Sequence, residues 1–252
     1  VEIGVPYTDP LMDGPVIQHA ADVALKGGAR LLDVFRAVRA VADSGAPALV
    51  MTYWNPVLRY GVDRFADDLA HAGGAGLITP DLIPDEGAEW ISAAERNDLD
   101  RVFLVAPSSS EPRLRSTTAA CRGFVYAAST MGVTGARTTV GDTAEVLVNR
   151  ARLITDTPIC VGLGVSTGAQ AAQVASFADG VIGGAATVGC LPHSPSREAG
   201  SRATPPIDPC LAPAVRAAAS AARAAVVGPS RTSRRLAWAW SIPSSAASGP
   251  TI

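Results

Sequence analysis

The sequence predicts an α/β chain: a (β/α)8 TIM barrel lacking its first strand and helix, followed by an irregular C-terminal tail. Three observations lead there. Seven short apolar runs alternate with helix-length amphipathic stretches, the runs are apolar almost throughout, and the first begins at residue 1. Strands and helices alternating in series imply a parallel sheet with right-handed crossovers, and continuously apolar strands imply that both sheet faces are covered. A closed parallel barrel takes eight strands. Seven runs, with no lead-in to the first, are therefore expected to form an N-terminally truncated barrel rather than an open sheet.

The strand-like runs are Val1 to Tyr7, Pro47 to Trp54, Gly76 to Leu82, Arg101 to Pro107, Gly123 to Ser129, Pro158 to Gly164 and Asp179 to Ala185. Each is rich in Val, Ile, Leu or Tyr and bounded by Gly, Pro or Asp. Between them lie helical patterns: Pro15 to Lys26, Leu31 to Asp43, Val62 to Ala72, Asp85 to Asn97, Ser110 to Cys121, Thr143 to Ile154 and Thr167 to Phe177. Asp43-Ser44-Gly45 supplies the usual helix-ending punctuation. Past Ala185 the rhythm is lost. Residues 191 to 213 are rich in Pro, Ser and Arg, and only Leu211 to Val227 has helix-forming character. The domain boundary is accordingly expected between a barrel at 1–185 and a tail at 186–252.

The 252 residues are 48% apolar and 17% charged, with a mean hydropathy of +0.22, a chain able to bury a large core and unlike a disordered or fibrous one. A net charge of -2 argues against a nucleic-acid binder, which needs a basic surplus. No run of about 18 apolar residues is present, so no membrane contact through a spanning helix is expected. Val1 to Pro6 carry an acid where a signal peptide carries base, which predicts a cytoplasmic protein. Cys121, Cys160, Cys190 and Cys210 form no CxxC pair, and no metal site is expected. His19, His71 and His193 lie far apart and assemble no nucleophile–histidine pair.

The charge is unevenly placed. Residues 1–185 hold 14 basic and 21 acidic groups, whereas residues 186–252 hold 7 and 2, so an acidic barrel of -7 precedes a basic tail of +5. Enrichment in Arg, Ala, Pro and Ser is what an off-frame GC-rich message encodes, and a frame change near Gly183 is the expected origin of the tail.

Barrel active sites lie at the carboxyl ends of the strands. Glu2, flanked by Val1 and Ile3, would be desolvated and raised in pKa if it faced the barrel interior, as a general acid or base near neutrality requires. Pointing outward, it would do neither, and the residues alone leave both orientations open. Asp9 and Asp13 follow in the next loop. Asp13 before Gly14-Pro15 suits either a helix cap or a second carboxylate in the pocket. Phe124 and Tyr126 share one face of their run, fit to fill the core or line an apolar pocket. Thr130 to Arg137, with two glycines, has the composition of a closing loop. Gly162-Leu163-Gly164-Val165-Ser166, with Ser166 as helix cap, and Gly183-Gly184-Ala185 end the last two runs, where barrels bind phosphate. Tight turns without a ligand would use the same glycines.

Val1 to Pro15, Met51-Thr52-Tyr53-Trp54-Asn55-Pro56, Leu77 to Pro84, Phe103 to Pro107 and Gly123 to Ala136 stand in order, and together they resemble the tryptophan synthase alpha chain family over residues 1–185. The resemblance implies a (β/α)8 barrel that cleaves indole-3-glycerol phosphate to indole and glyceraldehyde 3-phosphate without metal or cofactor. It also implies a beta chain partner in an alpha2beta2 heterotetramer, with pyridoxal phosphate on the beta chain alone. Carried over by position, Glu2 is the general acid/base and Asp13 the carboxylate facing the indole N–H. Phe124 and Tyr126 line the substrate pocket, and Thr134 and Gly135 belong to the closing loop. Gly164, Gly184 and Ala185 surround the phosphate, with Ala185 where the family usually has serine. Pro6, Asp9, Asp81 and Pro84 fall at the partner interface. Two further readings stand beside this one: a related barrel enzyme acting on phosphorylated intermediates of the same pathway, and a catalytically impaired barrel that only docks on a beta chain.

Overall fold

The computed structural model describes residues 1–9, 11–129, 141–162 and 164–189. Seven strands, β1 (Glu2–Gly4), β2 (Leu49–Met51), β3 (Gly76–Thr79), β4 (Asp100–Val105), β5 (Val125–Ala128), β6 (Ile159–Gly162) and β7 (Gly180–Val181), form one sheet in chain order. Every neighbouring pair is parallel. The crossovers carry α1 (Pro15–Lys26), α2 (Leu31–Asp43), α3 (Trp54–Tyr60), α4 (Val62–His71), α5 (Ala88–Arg96), α6 (Glu111–Ala120), α7 (Gly141–Arg152) and α8 (Gly168–Ala175), and α9 (Gly184–Gly189) follows β7. Among the described residues β1 and β7 each have a single strand neighbour, and α9 packs against α1.

The strands are shorter than the apolar runs that announce them. Pro6, Pro80 and Pro107 lack the N–H that a ladder needs, so each run leaves the sheet before or at its proline and spends its last residues on the loops above the strand. Val5 still donates to the Met51 carbonyl at 3.0 Å, the last bond of β1 before the chain turns away. The end of the second run is not strand at all. Trp54-Asn55-Pro56 opens α3, where proline in the first turn loses no helical bond. Likewise the region expected as one helix from Asp85 begins with a separate 3-10 turn at Pro84–Glu86. The last run shrinks to Gly180–Val181, because Gly183-Gly184 has no side chain to pack on a pleated surface and the chain turns into α9 instead. Residues 190–252, including the helix expected at 211–227, lie outside the described residues.

Two apolar clusters occupy opposite sheet faces. The larger joins the strands to the helices through Val50, Leu77, Phe103, Val125 and Val161 on one side and Val38, Phe65, Leu69, Trp90, Leu114 and Leu147 on the other. The smaller comprises Ile78, Val102, Phe124 and Tyr126, with Leu49, Met51, Leu104, Cys160 and Ile182 against it. Among the described residues no helix residue belongs to this second cluster, yet Ile78 is only 1% exposed and Tyr126 only 2%. A sheet face buries its side chains without a covering layer only by curling on itself, as a barrel does.

Phe65 joins several elements: fully buried on α4, its ring lies 5.5 Å from Phe35 and 6.4 Å edge-on from Tyr60. Phe65→Ala should cost about 3–5 kcal/mol by lost transfer energy and cavity formation, read as a lower urea midpoint with little change in the m-value.

Candidate active site

Glu2 owes its position to strand register. It stands opposite Leu49, and Gly4 stands opposite Met51. Residues paired across parallel strands share a face, and Leu49 and Met51 belong to the inner cluster, so Glu2 projects into the interior of the curl. Its side chain keeps contact with water, but the protein around it is dense enough to replace most of its hydration. Desolvation pushes the carboxyl up to about 7; the Val1 ammonium opposes the rise and the Asp13 charge adds to it.

Asp13 does not cap the following helix. Gly14 occupies the N-cap of α1, with no side-chain cap and Pro15 in the first turn. The Asp13 main-chain carbonyl accepts from Gln18 Nε2 at 2.8 Å. Its carboxyl meets the hydroxyl of Tyr53, a residue whose importance no spacing rule reveals. Burial raises the Asp13 pKa, and the hydrogen bond from Tyr53 opposes that rise. The same hydroxyl accepts the Met12 N–H at 2.8 Å. Desolvation pushes the Tyr53 phenol itself up to about 12, which keeps it a donor across the physiological range.

Phe124 and Tyr126 are both buried in the inner cluster, so the shared face expected from their spacing points inward. A Cβ on Gly162 would stand 2.2 Å from the Tyr126 hydroxyl, so this glycine makes room for the tyrosine at the top of β6. Gly164 adopts φ +105°, a conformation that favours glycine, on the way into α8. The expected cap, Ser166, is displaced by one residue: Thr167 is the N-cap and Gln170 closes a capping box with it. The Ser166 N–H and hydroxyl both donate to Gln170 Oε1, at 2.9 and 3.0 Å. Gly183 and Gly184 differ, since among the described residues nothing comes within 4 Å of a Cβ placed at either. Gly184 and the half-buried Ala185 begin α9, and β7 pairs with β6, so the Gly164 and Gly184 segments follow adjacent strands.

The four residues expected at a partner interface lie in two loops. Pro6 and Asp9 follow β1, and Asp9 accepts a 2.7 Å bond from Thr8 Oγ1. Asp81 and Pro84 follow β3, where the exposed Asp81 carboxylate accepts the Trp54 N–H at 2.9 and 3.1 Å. Asn55 Nδ2 in turn donates to the Tyr7 hydroxyl at 2.9 Å, so segment 53–55 ties the two loops together. Thr134 and Gly135 lie outside the described residues. Among the described residues no three His, Cys, Asp or Glu side chains are grouped to hold a metal ion. A shallow groove of about 480 Å³ along α1, lined by Tyr7, Gln18, His19 and Asp22 among others, includes neither Glu2 nor Asp13.

Comparisons with known proteins give the family. The family model for the tryptophan synthase alpha chain matches residues 1–204. The chain belongs to that family. The tryptophan synthase alpha chain of Mycobacteroides abscessus is 60% identical over 196 residues, 78% of this chain and 75% of that relative. That of Salinispora arenicola is 58% identical over 216 residues, 86% and 81% of the two chains. A solved structure of Mycobacterium tuberculosis tryptophan synthase superposes with a TM-score of 0.71 at 60% identity, covering 75% of this chain and 73% of that one. The tryptophan synthase alpha chain match runs past Ala185, through α9 and on to residue 204. No helix among the described residues is long and apolar enough to cross a membrane.

Two outcomes follow from this geometry. Gly162→Ala should drive Tyr126 from its seat and lower stability by about 1–3 kcal/mol, the usual cost of overpacking, read by urea unfolding. Glu2 binds its proton more tightly folded than unfolded, with a pKa of about 7 against 4.5. The stability it contributes is therefore complete below about pH 4.5 and lost as pH rises through about 7. Glu2→Gln should remove this loss, flattening the difference in melting temperature between pH 5 and pH 8.

Proposed function

We propose that this chain carries out the tryptophan synthase alpha reaction, retro-aldol cleavage of indole-3-glycerol phosphate to indole and glyceraldehyde 3-phosphate, with Glu2 and Asp13 as its catalytic carboxyls. The observation that carries the reading is Glu2 on the inner face, with its carboxyl near 7 and Asp13 close enough to raise it further. At neutral pH such a group is populated in both protonation states, so it gives and takes protons without an external reagent.

The protonated Glu2 delivers its proton to C3 of the indole ring, and positive charge develops at the ring nitrogen. Asp13, held as a carboxylate, accepts the N–H and balances that charge. Glu2, now a carboxylate, takes the proton of the glycerol hydroxyl. The bond from C3 to the side chain then breaks, its electron pair restores the aromatic ring, and the hydroxyl carbon becomes the aldehyde. One proton enters and one leaves, so Glu2 ends the cycle protonated. Phe124 and Tyr126 give the ring an apolar wall. The backbone at Gly184, uncrowded among the described residues, suits the phosphate, with Ala185 next in the chain and Gly164 after the neighbouring strand. The alpha chain carries no cofactor.

The tryptophan synthase beta chain, the bearer of pyridoxal phosphate, docks at Pro6, Asp9, Asp81 and Pro84 in an alpha2beta2 heterotetramer. Residues 1–185 serve as the barrel and 186–252 as an appended tail, a division supported by their opposite charges. A phosphorylated substrate does not cross membranes unaided, which supports an activity in the cytoplasm, where such metabolites are made.

The purified chain should release indole from indole-3-glycerol phosphate, and Glu2→Gln or Asp13→Asn should each lower kcat about 100-fold or more. Because Glu2 must begin protonated, kcat/KM should fall as pH rises through about 7. Indole release unaffected by Glu2→Gln would refute the assignment. Stimulation of a beta chain without any indole release would favour a docking role alone.

A further inference from the structure

We propose that Tyr53 is a positioning residue for Asp13, fixing the orientation of its carboxylate through the phenolic hydroxyl; this rests on the role assigned to Asp13 above. Tyr53 is 5% exposed and sits in extended conformation at the N-cap of α3. Its hydroxyl has one proton to give. Accepting the Met12 N–H at 2.8 Å uses its lone-pair side, which directs the proton toward the Asp13 side chain.

The tyrosine cannot swing away freely. Its ring lies 5.5 Å from the Tyr7 ring at 38°, and the Tyr7 hydroxyl is held by Asn55 at 2.9 Å. The next residue, Trp54, is anchored through its N–H to the Asp81 carboxylate. The loop from Tyr7 to Asp13 is thus strapped near both ends to segment 53–55.

The electrostatic need for such a donor is evident from what surrounds Asp13. Glu2 of β1, which feels the Asp13 charge, is an acid and supplies no cation, and the Val1 ammonium acts on Glu2. No Lys or Arg ion pair reaches Asp13 among the described residues. Burial favours the neutral acid, and the Tyr53 hydrogen bond is the interaction on Asp13 that favours the carboxylate.

Tyr53→Phe removes the hydroxyl and keeps the ring, so the packing on Tyr7 is preserved. In the full chain, with carboxyl carbons followed by 13C NMR and the Asp13 signal assigned with Asp13→Asn, Asp13 should titrate at a higher pH in Tyr53→Phe than in the parent. Asn55→Ala, which cuts the other strap, should leave that titration in place. The kcat for indole release should fall about 10- to 100-fold in Tyr53→Phe, as for loss of a charge-assisted bond, while KM changes much less. An unmoved Asp13 titration in Tyr53→Phe overturns the proposal, and so does an equal shift in Asn55→Ala, which would trace the effect to loop order. The titration is read without substrate, so it stands apart from the assignment of Asp13 to the reaction, which Asp13→Asn tests by activity.

Discussion

The pairing of Glu2 with Leu49 across β1 and β2 governs what the rest of the structure can do. Side chains on a strand alternate faces, so a slip of one residue would turn Glu2 toward the helices and aim Val1 and Ile3 inward. The three-residue strand is held in register by bonds at both ends, from Leu49 N–H to the Val1 carbonyl at 2.8 Å and from Val5 N–H to the Met51 carbonyl at 3.0 Å. A carboxyl facing the interior is costly to ionise, and that cost is also what gives it a useful proton affinity near neutrality. Stability and reactivity at this position therefore oppose each other by construction, a pattern common where function is carried by a desolvated ionisable group.

Around that carboxyl the structure divides its work between two faces of one sheet. The outer face, buried under the helices through Phe65, Trp90, Leu114 and Leu147, supplies most of the apolar burial. The inner face is smaller, and Tyr126 and Cys160 fit there because Gly162 and Gly180, close beside them, carry no side chains. Loops then carry the polar groups. Prolines that end the strands early also release the chain at the height where Asp9, Asp13 and Asp81 are needed.

Most of this architecture was legible in the sequence. Strand order, helix spans such as Pro15–Lys26 and Leu31–Asp43, and the shared face of Phe124 and Tyr126 all follow from apolar periodicity. The orientation of Glu2 did not, because period-2 alternation says which residues share a face and not which face is inside. Tyr53 was hidden for a different reason. It lay in the run Pro47 to Trp54, expected as strand, and its partners Met12 and Asp13 lie about 40 residues away. A contact at that separation is set by the packing of adjacent loops, which no local pattern encodes. The shift of the α8 cap from Ser166 to Thr167 turned on Gln170, three residues into the helix, a detail of side-chain reach rather than composition.

The contact between α1 and α9 has a wider meaning once the site is placed. Asp13 stands just before the first of these helices, and Gly184 opens the second. The groups that would meet the ring of the substrate and those that would meet its phosphate thus sit on two struts that touch each other. On the proposed reading, the spacing between anion and ring would follow this helix joint as well as the sheet beneath it.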